Sequence, residues 1–211
     1  MIRVYKSPHP PATLKKQTGK QYNNEDVKEQ LVKDQHCKCY ICEQDTGKDF
    51  EIEHLTPQNS GINKIKEWNN LLLTCPYCNK KKSDKFNIMN PLLNNIEDII
   101  EQRIVENHTS ISSSTKVQET KQTVILLKNI FNGLNNIRDT RASLLFKDVQ
   151  REMNFFMRCL IDYKQNPTQE NKGILTDSLK VDKEFLGFKY WIIRDSGLEP
   201  HFKDAIQWNK A

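Results

Sequence analysis

The spacing of apolar and polar positions divides the chain into an arm, a stretch of short elements and a helical stretch. Residues 1–24 contain Pro8, Pro10 and Pro11, which forbid a helix before Ala12 and predict an extended arm packed on the rest of the molecule. Asn24-Glu25-Asp26 then offers a cap and an acidic first turn for a short helix carrying Val27, Leu31 and Val32 as far as His36. Between Cys39 and Phe86 the pattern changes to two strand-like pieces, Phe50-Glu51-Ile52-Glu53 and Leu71-Leu72-Leu73-Thr74, separated by a Gly- and Asn-containing loop. A helix is expected to begin near Cys75-Pro76, where the missing N–H of proline falls in the first turn.

Beyond Asn90, residues Ile99 to Ser114 fit either a helix end or a hairpin turning at Asn107-His108, and the hairpin is the preferred reading. After the Ser-rich stretch Ser110 to Thr115, helical spacing returns through Val124, Leu127, Phe131 and Leu134. It continues through Leu144, Leu145, Val149, Met153, Phe156 and Leu160, so the C-terminal half is expected to be mainly helical. Phe185, Phe188, Trp191 and Ile192 add an apolar face that reads as core.

Composition narrows the function classes. A chain of 211 residues with 36% hydrophobic and 28% charged residues has no apolar run near membrane-spanning length, so no membrane role is expected. The opening Met-Ile-Arg-Val-Tyr-Lys-Ser-Pro lacks a secretory signal pattern, which points to the cytoplasm and to reduced thiols. The net charge of +5 is too mild to identify a nucleic-acid binder. Lys64, Lys66, Lys80, Lys81, Lys82 and Lys85, set against Glu67 and Asp84, would concentrate positive potential where a phosphate backbone fits, although any single lysine reads as ordinary surface. No phosphate-binding Gly-x-x-x-x-Gly-Lys-Ser/Thr loop occurs, which excludes ATP binding by that motif.

Cysteine spacing is the strongest signal. Cys39-x-x-Cys42 and Cys75-x-x-Cys78 supply four thiolates, the donor set of a tetrahedral structural zinc site, while Cys37 and Cys159 are left over. The first pair is expected to form a knuckle at a hairpin tip and the second to start a helix, where the dipole favours thiolate. On a strand, Glu53 and His54 point to opposite faces unless the strand is ending. On the following helix Asn79 and Lys82 share a face, with Cys78 about 100° from Asn79. Taken singly, His54, Asn70 and Asn79 have ordinary structural readings. His9, His36, His108 and His201 keep such readings, because they lack comparable company.

Glu51-Ile52-Glu53-His54-Leu55-Thr56-Pro57, Trp68-Asn69-Asn70-Leu71 and Cys78-Asn79-Lys80-Lys81-Lys82 together resemble the HNH, or ββα-metal, nucleases over residues 37–88. The resemblance implies an α+β fold: a zinc-stabilised, treble-clef-like ββα-metal module followed by a mainly α-helical region. It further implies that Glu53 and Asn79 hold a catalytic divalent ion, magnesium first among candidates, beside the structural Zn²⁺. His54 would be the general base, Asn70 would orient the His54 loop, and Lys82 would offset phosphate charge. Many relatives have Asp where Glu53 stands and His where Asn79 stands, which bears on metal preference.

A narrower resemblance, reaching the arm Ile2 to Pro8 and loosely Thr123 to Arg141, is to the PtuB-type nuclease subunits of Septu and retron-associated anti-phage systems. It implies a hetero-oligomer with a PtuA-like ATPase subunit, acting on nucleic acid, DNA before RNA. The expected organisation is an arm and helix over 1–36, the nuclease module over 37–90, and a helical, partner-docking region over 91–211. Two other readings stay open: a stand-alone HNH restriction or homing-type nuclease, and a non-catalytic zinc module that binds nucleic acid.

Overall fold

Proline keeps the arm extended, and backbone donors tie it down: Val4 N donates to Pro91 O at 2.9 Å and Ser7 N to Asp34 Oδ2 at 2.9 Å. These contacts come from a computed structural model that describes residues 1–15, 21–57, 62–206 and 208. The arm ends in a 3₁₀ turn, Ala12–Lys15, which leads toward helix α1, Glu25–Asp34. Asn24 occupies the N-cap position as expected, but its side chain makes no capping bond. The helix stops at Asp34, short of His36, because His36 and Cys37 adopt positive φ and reverse the chain.

That reversal feeds the first cysteine knuckle, closed by the bridge between Lys38 and Asp45 and by Glu43 at φ 64°. Strand β1, Glu51–His54, then pairs antiparallel with β2, Leu71–Thr74, in the register Glu53 opposite Leu72 and His54 opposite Leu71. The one-turn helix α2, Ile62–Ile65, lies between them and is too short for any periodicity to announce it. The Gly- and Asn-containing stretch at 58–61 lies outside the described residues.

All four residues of β2 are buried, which explains an unbroken apolar run in place of alternation. Leu71 and Leu73 pack with Val27, Leu31 and Trp68, whereas Leu72 faces the other way into the main core. The outer edge of β2 is capped: Gln35 donates Nε2 to Leu73 O at 2.8 Å and accepts from Leu73 N at 2.8 Å. The helix expected at Cys75-Pro76 is α3, Pro76–Lys82, with Cys75 as N-cap and Pro76 at its start.

The preferred hairpin is observed: β3, Glu101–Val105, pairs with β4, His108–Ser112, after the one-turn helix α4, Ile96–Ile99. The helical half comprises α5, Gln118–Asn132, α6, Thr140–Gln165, α7, Gln169–Ser178, and α8, Leu186–Asp195. Leu127, Phe131, Leu145, Val149, Met153, Phe156 and Leu160 are buried as the spacing predicts. Leu134 and Leu144 depart from it and stay exposed; for Leu134 the reason is Gly133, which at φ 75° ends α5 before that residue can reach the core. The main core joins Cys39, Ile41, Leu72 and Cys78 to Leu126, Phe131, Leu145 and Phe188, so the cysteine-bearing segment and the helices share apolar contacts. Among the described residues no helix is long and apolar enough to cross a membrane.

Candidate active site and metal centre

The knuckle and the start of α3 bring Cys39, Cys42, Cys75 and Cys78 together, with all four sulfurs within 4.8 Å of one another and buried. Thr74 Oγ1 lies 3.4 Å from Cys39 Sγ, and Cys78 N donates to Cys75 Sγ at 3.4 Å. Burial pushes the Cys78 thiol well above its ordinary range, and the hydrogen-bonded neighbouring sulfurs Cys39, Cys42 and Cys75 add to the shift. Four convergent soft donors in a closed pocket are the chemistry of a structural zinc site, and these four residues could hold that ion.

Strand alternation sorts the acidic candidates. Glu51 and Glu53 share the face of β1 that meets α3, while Ile52 and His54 share the other. Because α3 runs alongside β1, its successive positions meet successive carboxylates. Asn79 Nδ2 donates to Glu51 Oε2 at 2.6 Å, and Lys82 Nζ donates to Glu53 Oε1 at 2.6 Å. Glu53 Oε2 accepts from Tyr40 OH at 2.9 Å. Burial raises the Glu53 pKa, opposed by the Lys82 ammonium and the two hydrogen bonds.

The arrangement places two of the expected site residues as follows. Lys82 is fully buried, and its amine spans Glu53 and the His54 carbonyl, 3.1 Å away, because the inner face of α3 lies against β1. Asn79 hydrogen-bonds Glu51, one helical turn away from the Lys82–Glu53 pair. Glu51 is a site residue that the sequence reading passed over, although the period-two pattern places it beside Glu53. Nothing local signals Tyr40 or Tyr22, which arrive through long-range packing. Of the expected lysines, Lys64 pairs with Glu67 and Lys81 with Asp139, while Lys80 and Lys85 stay exposed.

His54 ends β1 with its ring on the α2 side. Nε2 lies 3.0 Å from Ile65 O, and the Tyr22 ring packs edge-on at 4.5 Å. A carbonyl only accepts, so in the neutral ring Nε2 carries the proton and Nδ1 is the basic nitrogen. Burial lowers the His54 pKa, opposed by the Ile65 carbonyl and reinforced by Lys82, which favours the neutral form. Asn70 is buried and holds the loop after His54. Its Oδ1 accepts from Thr56 N at 2.7 Å, and its Nδ2 donates to Thr56 O and Lys64 O, each at 2.9 Å.

The HNH endonuclease family model matches residues 37–85. The chain is also 33% identical over 79 residues to the Septu protein PtuB of Bacillus thuringiensis, an alignment covering 36% of this chain and 29% of that relative. The aligned part is thus under a third of that relative's length. The match falls on the paired strands, the helix and the four-cysteine cluster, so the similarity to HNH endonucleases rests on the part of the chain that builds this site.

Proposed function

We propose that the chain is a metal-dependent endonuclease that hydrolyses phosphodiester bonds, with DNA as its substrate. The observation that carries this reading is the orientation of His54: its Nε2 against the Ile65 carbonyl makes Nδ1 the proton acceptor. Neutral at physiological pH, that nitrogen takes a proton from water, and the resulting hydroxide attacks phosphorus. Asn70 keeps the base in place through the 55–56 backbone. Lys82 holds β1 against α3 from inside and so sets the position of Glu53.

Glu53 and Asn79, with Glu51 beside them, carry oxygen atoms of the kind that suit a hard divalent cation such as magnesium, which at Glu53 would take the place of the Tyr40 or Lys82 hydrogen bond. Bound there, such an ion would stabilise the charge that develops on the leaving oxygen. The zinc site is structural, holding the knuckle to the start of α3.

Similarity to a Septu protein supports placement in an anti-phage system of that kind, with an ATPase partner that docks on the 91–211 region and regulates cleavage. Incubating the protein with plasmid DNA and magnesium, alone and with its co-purifying subunit, tests the reading. Cleavage by the wild type and none by His54→Ala is expected. Equal cleavage by both, or none by the wild type in either setting, refutes it.

A further inference from the structure

Lys6, in the arm, is a half-buried amine that the proposed chemistry does not use. Its Nζ donates to the carbonyl oxygens of Trp68 and Leu71, the latter at 2.6 Å, and lies 3.3 Å from the centroid of the Trp68 ring. The indole returns a bond from Nε1 to Ser7 O at 2.9 Å. Arm and turn therefore grip each other from both sides.

The two carbonyls that Lys6 engages bracket Asn70 in sequence. Asn70 reaches across to both backbone groups of Thr56, and its own carbonyl accepts from Leu55 N at 2.9 Å. It also binds Lys64 O, one residue before the carbonyl that meets His54. A continuous series of hydrogen bonds thus runs from the arm, through the Trp68–Leu71 turn, to both ends of the His54 environment. Burying an amine here is unfavourable, and desolvation brings its pKa down to about 7 against the pull of Asp34. An apolar side chain of similar length would fill the same space without that cost. What lysine adds is a set of donors that two carbonyls and a π face can use.

We infer that Lys6 is a positioning residue for His54: the arm fixes the Trp68–Leu71 turn, the turn fixes Asn70, and Asn70 fixes the loop that aims the base. The inference rests on the reading of His54 as the base, and it extends the working site to a part of the chain outside the HNH module.

Lys6→Met in the full chain tests it through two readouts. Amide hydrogen exchange at Leu55 and Thr56 should accelerate about tenfold or more, while the Asn79 amide, bonded to Cys75 O on the zinc side, should not change. Turnover should fall about tenfold with KM nearly constant, the signature of a misplaced reacting group. Trp68→Phe keeps the ring but removes the bond to Ser7, so it should move both readouts the same way by less. It also carries the test if Lys6→Met does not fold. Unchanged exchange at Leu55 and Thr56 overturns the inference, as does faster exchange with unchanged turnover. Loss of cleavage in the wild type would sink the nuclease reading instead, and the exchange measurement would still decide whether the arm holds the loop.

Discussion

The Lys82 ammonium lies 2.6 Å from Glu53 Oε1, with the lysine side chain fully buried and the glutamate nearly so. A charge pair in that setting is held by mutual compensation, so losing one member exposes the desolvation of the other. Lys82→Met should lower stability by about 3–5 kcal/mol in chemical denaturation. The double variant Lys82→Met with Glu53→Gln should recover much of the loss, since no buried charge remains. Additive effects of the two changes would show that the pair is not coupled.

Zinc should be inseparable from folding. The four sulfurs join the knuckle to the start of α3, and no preformed site exists in the unfolded chain. Metal analysis of the purified protein should find a single tightly held zinc. A strong chelator, or either Cys39→Ser or Cys75→Ser, should abolish the cooperative thermal transition. A well-folded, metal-free protein would rule this out.

Glu97 gives a pH dependence of definite sign. It is wholly buried, Arg3 N donates to its Oε2 at 2.8 Å, and Oε1 has no hydrogen-bond partner among the described residues. Burial pushes its pKa up to about 7; its own backbone N–H and that of Arg3 oppose the shift, and Asp98 and Glu43 add to it. Between about pH 4.5 and about pH 7 the unfolded chain has released this proton while the folded chain keeps it, so stability falls as pH rises and then levels off. Glu97→Gln should match the wild type near pH 4 and exceed it by about 3 kcal/mol above pH 7. Urea titrations across that range would show it, and a constant difference between the two proteins would contradict the assignment.

Two glycines should respond in opposite directions. A Cβ on Gly133 would lie 2.0 Å from Ile137 O and 2.7 Å from Arg138 Cα, at φ 75°. Gly133→Ala should therefore cost roughly 2–4 kcal/mol, since backbone has to move. Gly173 sits inside α7 with nothing within 4 Å of its ideal Cβ, and Gly173→Ala should stabilise by about 0.5–1 kcal/mol. Thermal melts of the two variants should shift to opposite sides of the wild type.

What the sequence determined by itself is whatever depends on spacing within one element. The cysteine pairs, the two strands, the proline-started helix and the 101–112 hairpin follow from local period and turn chemistry, and so does the division of Glu53 and His54 between two faces of β1. Spacing names a face but not the neighbour that meets it. The direction of α3 along β1 gave Glu51 to Asn79 and turned Lys82 inward, and a contact across more than sixty residues set Lys6 under Trp68. Gly133 likewise removed Leu134 from a face it would have continued. Such outcomes depend on how separate elements pack, where desolvation and long-range hydrogen bonds outweigh local preference, and only the tertiary structure decided them.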